Sequence, residues 1–164
     1  MTYLLDTNVV SELRKRHPDA RVAGWYGTVT SGEIFISALT IGEIRLGIER
    51  LRRKDGAQAD LLEQWLRGLH ATYRDHIINV DADVAEEWGR LNVPDPLPVI
   101  DGLLAASAKT RGWTLVTRNT ADLARSGVML LNPFDPPSQP ANAPPPEIAF
   151  AGRRCTVTPG AEQC

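Results

Sequence analysis

The stretch PDPLPVIDGLLAASAKTRGWTLVTRN, residues 94–119, reads as a helix feeding into a buried strand. Pro98 suits the opening of a helix, where its missing N–H and fixed φ are no handicap, and Gly112 suits its close. Thr114 to Thr117 is then rich in strand formers. The same alternation runs through the chain before it. Tyr3 to Asp6 is a short strand candidate, and Asn8–Arg16 and Asp19–Val29 are helical on either side of Pro18, which disfavours one continuous helix. Ile34–Ser37 is again strand-like. From Leu39 to Lys54, Ile41, Ile44, Ile48 and Leu51 recur at spacings of three and four, one face of an amphipathic helix. Leu61, Leu62, Trp65, Leu66, Leu69 and Tyr73 form a second such stripe, Ile77–Val80 a strand, and Val84, Trp88 and Leu91 a third helical face. Strands alternating with helices predict an α/β architecture in which helices cover a short central parallel sheet.

At 164 residues and 43% hydrophobic, the chain suits one folded domain better than two. The opening residues MTYLLDTNVV carry no basic stretch ahead of the apolar ones, and Asp6 interrupts the run. Neither a signal peptide nor a membrane span is expected, which places the protein in the cytoplasm. Cys155 and Cys164 both fall in the last ten residues, so neither a disulfide framework nor a cysteine zinc site is expected. A formal charge of −2 and a pI near 5.9 argue against a general nucleic-acid coat protein but leave room for a local basic patch. Beyond Phe134 the chain changes character. Residues 135–164 hold six prolines before Glu147 and almost no apolar periodicity, which predicts a disordered tail beside a folded unit spanning residues 1–134.

Four carboxylates stand where an α/β sheet usually carries its chemistry, just after a strand or at the opening of a helix: Asp6, Glu43, Asp101 and Asp122. Each has a purely structural alternative. Asp6 suits a helix N-cap, Thr40 and Glu43 fit a capping box, and Asp101 and Asp122 would complement helix dipoles. The neighbours of Asp101 weigh against that alternative, because Leu104, Ala105 and Ala108 share its helical face. A carboxylate on an apolar stripe is costly unless it is paired or binds a metal, and Glu43, between Leu39 and Leu46, presents the same anomaly. Two like charges 4 Å apart repel by about 4 kcal/mol at an effective dielectric near 20, so a cluster of such acids asks for a cation. Oxygen-only ligands favour Mg²⁺ or Mn²⁺, and no His or Cys lies in these segments to recruit zinc. His17, His70 and His76 read as surface or interface residues.

On these residues the chain resembles the PIN-domain ribonuclease toxins of the VapC and FitB kind. The matching segments are LLDTNVVSEL (residues 4–13), ISALTIGEIRLGI (36–48) and PLPVIDGLLAASAKTRGWTLVTRNTADL (96–123). The resemblance implies a three-layer α/β/α fold and a Mg²⁺- or Mn²⁺-dependent endoribonuclease, the toxin of a type II toxin–antitoxin pair. Asp6, Glu43, Asp101 and Asp122 would be the catalytic, metal-binding acids, with Asp122 the most peripheral. Thr7, Asn8, Thr117 and Asn119 would orient them. A cognate antitoxin, an RNA substrate and a homodimer are the implied partners. Two positions depart from the pattern: Leu123 replaces a usual aromatic residue and Gly102 a larger small one, and both are expected to loosen local packing without removing a ligand.

RNA would be held by Arg14, Arg45 and Arg118, with Lys15 and Arg16 beside them, whereas the run Arg50, Arg52, Arg53 and Lys54 fits a helix end. Two other readings compete. Haloacid-dehalogenase-like phosphatases also end their first strand on an acid, but they need a second acid two residues on, where this chain has Asn8. A catalytically inactive PIN-like binding protein would keep the fold without the chemistry.

Overall fold

Along the first strand, Leu4 and Leu5 are both completely buried, but they enter different cores, since successive strand residues point to opposite faces of a sheet. Leu115 and Val116 repeat this division, as do Phe35 and Ile36. A sheet apolar on both faces must be covered on both, and that requirement organises the molecule.

The computed structural model describes residues 1–136. Strands β1 (Tyr3–Leu5), β2 (Ile34–Ser37), β3 (Ile77–Ile78), β4 (Thr114–Val116) and β5 (Met129–Leu131) form a parallel sheet in the order β3-β2-β1-β4-β5. Leu5 lies level with Ile36 on one side and Val116 on the other. Helices α1 (Thr7–Leu13), α2 (Ala20–Thr28), α3 (Ala38–Arg52) and α4 (Gly56–Thr72) pack on one face, through Val9, Val22, Ile44, Ile48 and Leu66. Helices α5 (Ala82–Leu91), α6 (Val99–Thr110) and the short α7 (Thr120–Leu123) cover the other, through Val84, Leu91, Leu104, Ala105 and Leu123. This is the expected three-layer α/β/α arrangement. The chain builds outward from β1 through β2 to β3, then crosses back to add β4 and β5 on the opposite side of β1. Sheets of this kind form a crevice where the direction of growth reverses, which here falls at the carboxyl ends of β1 and β4.

Several boundaries differ from the sequence reading, each for a local reason. α1 stops at Leu13 rather than Arg16, and Asp19 serves as the N-cap of α2, its side chain accepting from the Arg21 N–H. α4 begins at Gly56, five residues before its apolar stripe, because the Asp55 carboxylate caps it by accepting from the Gln58 N–H. The strand expected over Ile77–Val80 is cut to two residues, and Asp81 soon caps α5 through the Val84 N–H. α7 enters that reading only through the helix-dipole alternative for Asp122, and β5 has no counterpart in it. Both are too short for periodicity to register. Ser37, not Thr40, caps α3, so the capping box proposed for Thr40 and Glu43 does not form, and Thr40 Oγ1 is buried without a hydrogen-bond partner among the described residues. The tail lies outside the described residues, apart from Asp135 and Pro136.

Neither departure at positions 123 and 102 loosens the packing. Leu123 is 1% exposed in the core beneath α7. At Gly102 a Cβ would stand 3.2 Å from the Trp88 indole and 3.3 Å from Leu97 Cβ, so the indole occupies the space that a larger residue would need. Leu115→Ala, in the centre of the sheet, should cost about 2–5 kcal/mol in chemical denaturation. Met129→Ala, half-exposed on edge strand β5, should stay within about 0.5 kcal/mol.

Candidate active site

β1 ends at Leu5, and the next residue turns its side chain into the crevice. The Asp6 N–H donates to the Val116 carbonyl at 3.0 Å, which pins it against the end of β4. Its backbone carbonyl accepts from the Val9 and Val10 N–H groups and starts α1, but its carboxylate does not cap that helix. Instead Asp6 Oδ2 accepts from the Thr117 hydroxyl at 2.6 Å and from the Asn8 amide. Asn8 Nδ2 also reaches Thr117 Oγ1 at 3.2 Å, and its Oδ1 accepts from the Arg118 N–H at 3.2 Å. Residues more than a hundred positions apart are thereby locked together around one carboxylate.

Asp6 is 7% exposed. Burial pushes its carboxyl above the ordinary aspartate value, and the negative charges of Asp101 and Glu43 push the same way; hydrogen bonds from Thr117 and the Thr7 N–H oppose them. Asp101 comes from the first turn of α6, whose Leu104, Ala105 and Ala108 are all fully buried as the apolar face required. Asn119 Nδ2 holds Asp101 Oδ2 at 2.9 Å. Glu43 lies in the second turn of α3 rather than the first, and accepts from the Thr7 hydroxyl at 2.5 Å. The apolar-stripe argument holds less well for Glu43, because Leu46 is half-exposed and the buried stripe of α3 runs through Thr40, Ile44 and Ile48. Asp122 is exposed on α7 and makes no hydrogen bond or ion pair among the described residues.

None of these four acids has a Lys or Arg partner within 4 Å among the described residues, whereas Glu12, Glu63 and Glu87 are all paired. The donor chemistry therefore fits a hard cation: carboxylate oxygens without counter-charge, one of them buried. Their side chains are not drawn to ligating distance, since no group of three His, Cys, Asp or Glu among the described residues is placed to hold an ion as it stands. Each inner acid is tied instead to a neutral donor, Asp6 to Thr117 and Asn8, Glu43 to Thr7, and Asp101 to Asn119.

The PIN domain family model matches residues 3–127. The chain belongs to the PIN-domain family. Toxin FitB of Neisseria gonorrhoeae is 31% identical over 138 residues, covering 80% of this chain and 97% of that protein. VapC ribonuclease Y4jK of Sinorhizobium fredii is 27% identical over 139 residues, covering 81% and 98%. A solved toxin–antitoxin complex from Klebsiella pneumoniae contains a chain that superposes with a TM-score of 0.63 at 25% identity, covering 82% of this chain and 99% of that chain.

The basic residues divide. Arg45 lies on α3 and is engaged across the helix pair by the Glu63 carboxylate, with Glu49 one turn along, so its charge ties α3 to α4. Arg14 lies over the Trp65 ring. Arg118 stacks on Phe134 and approaches Glu12. His17 and His70 are exposed, and His76 packs edge-on against Phe35. Glu12, a buried acid that the sequence reading passed over, gave only the faint signal of an i,i+3 partner in Lys15. No helix among the described residues of this PIN domain is long and apolar enough to cross a membrane.

The raised Asp6 pKa means that the folded state binds this proton more tightly than the unfolded chain does. Stability from protonated Asp6 is present in acid and lost as pH rises through the raised value. In metal-free protein, Asp6→Asn should therefore melt above wild type at neutral pH, with the gap closing as pH falls. Thermal melts in EDTA across pH check this; a lower melting temperature for the variant at neutral pH would contradict it.

Proposed function

We propose that this PIN domain is a Mg²⁺- or Mn²⁺-dependent endoribonuclease acting in the cytoplasm, the toxin of a type II toxin–antitoxin pair. The observation that carries the reading is the Asp6 carboxylate, buried at the junction of β1 and β4 with no Lys or Arg partner among the described residues, while Glu43 and Asp101 add like charge beside it. Asp6, Glu43 and Asp101 are the residues that would hold the ion, with Asp122 at the rim. A hard divalent ion bound there supplies an activated water and offsets charge on the leaving oxygen of a phosphodiester. Asn8 and Thr117 fix the rotamer of Asp6, while Thr7 and Asn119 hold Glu43 and Asp101 within the same crevice. None of these four donors is ionised, so they orient the acids without neutralising them. The names of the relatives, a toxin and a VapC ribonuclease, support the same reading. A nuclease directed at cellular RNA has to be held in check by a specific inhibitor, which is the role of a cognate antitoxin.

Asn8 argues against the phosphatase alternative. It stands where a second acid would be needed and donates its amide to Asp6, so it has no proton to exchange with a leaving group. Purified protein with Mn²⁺ should cleave single-stranded RNA and leave p-nitrophenyl phosphate untouched. Asp101→Asn and Asp6→Asn should each lower cleavage by about a hundredfold or more, the scale of losing a principal electrostatic group, and EDTA should abolish it. Equal cleavage by wild type and Asp101→Asn would end this reading.

A further inference from the structure

Glu12 lies near the end of α1, and the nuclease reading leaves its buried carboxylate without a role. Its Oε1 accepts from the Asp19 N–H at 3.0 Å, tying α1 to the start of α2. Its Oε2 receives two cations, Lys15 Nζ at 2.6 Å and Arg118 Nη2 at 3.6 Å. The Arg118 guanidinium carbon also lies 3.8 Å from the centroid of the Phe134 ring, a cation–π contact that gives the side chain a second anchor. The acid is 8% exposed, while the Lys15 and Arg118 side chains are 55% and 57% exposed. One carboxylate cannot neutralise two cations. The trio keeps a surplus of positive charge, and with the acid behind, what reaches solvent is the cationic side.

This unit borders the acids. Arg118 follows Thr117, and its N–H bonds to Asn8, whose amide bonds to Asp6. By contrast, Arg45 and Arg52 are held by Glu63, Glu49 and Asp60, and Arg21 by Asp19. We propose that Lys15 and Arg118 form a clamp for one phosphate of a bound RNA strand, and that Glu12 and the Phe134 ring are positioning residues that hold the two cations side by side. The proposal rests on the nuclease reading and adds the place where the substrate backbone is gripped.

Glu12→Gln separates positioning from simple charge. Removing an acid from a surface that binds a polyanion should tighten binding if charge alone matters, and loosen it if the acid organises the clamp. The measurement is fluorescence anisotropy of a short labelled single-stranded oligoribonucleotide with full-length protein carrying Asp101→Asn, in EDTA, over a range of KCl concentrations. Lys15→Ala and Arg118→Ala should each weaken binding several-fold, and together they should lower the slope of log affinity against log salt by about one. Glu12→Gln should weaken binding several-fold with both cations still present. Phe134→Leu, which changes no charge, should do the same, and it provides the test if Glu12→Gln does not fold. In otherwise wild-type protein with Mn²⁺, these two variants should raise KM more than they lower kcat. Unchanged or tighter binding by Glu12→Gln or Phe134→Leu overturns the clamp. If the clamp variants lose RNA while wild type cuts none, the clamp stands and the nuclease reading falls.

Discussion

Asp6 sits where the sheet changes its direction of growth, and the pairing of β1 with β4 traps it there. Its N–H completes the β4 edge, its carbonyl starts α1, and its side chain has nowhere to go but the crevice. A charged group so enclosed is unfavourable by itself, and Asp101 and Glu43 make it more so. Three backbone segments must hold position for that arrangement to persist. The Asn8–Thr117–Asp6 network supplies the constraint by bonding β1, α1 and the turn after β4 to one another through uncharged donors.

Uncharged donors matter here because a lysine or arginine in their place would neutralise Asp6, whereas these orient the carboxylate and leave its charge uncompensated. The molecule keeps its cations elsewhere. Arg45 and Arg52 spend their charge between α3 and α4, and Lys109 pairs with Glu87 between α6 and α5. At the border of the crevice Lys15 and Arg118 keep more than half of their side chains exposed, and there both face the buried Glu12 carboxylate. Some cations thus tie helices together while others are left facing solvent, a division that the net charge of the whole chain conceals.

The sequence is most legible where a pattern is long or chemically costly. The sheet, its helical layers and the Asp101 anomaly all follow from apolar periodicity, because burying Leu104 and Ala108 leaves the first turn of α6 facing the crevice. Glu43 was reached for a weaker reason, since the half-exposed Leu46 shows that its face is not simply core. The fate of Arg45 was illegible: nothing local indicates that Glu63, on the next helix, would claim it. Glu12 was missed because its partners come from three segments, Lys15, Asp19 and Arg118, and only the first is close enough in sequence to be noticed.

Gly102 shows how a residue that looks like a defect in one dimension can be a fit in three. Read along the chain, a glycine beside a candidate ligand in the first turn of a helix suggests slack, for it adds backbone freedom and removes a packing surface. In the fold, the surface is supplied from α5 by Trp88, whose indole lies so close that a methyl group at position 102 would force it to move. Trp88 Nε1 is buried there without a hydrogen-bond partner among the described residues, in a core to which α6 contributes Leu104 and three alanines. A large, rigid ring pressed against the backbone limits how the first turn of α6 can shift, and Asp101 lies in that turn. The glycine and the tryptophan are one feature split between two helices, which is why neither could be interpreted alone.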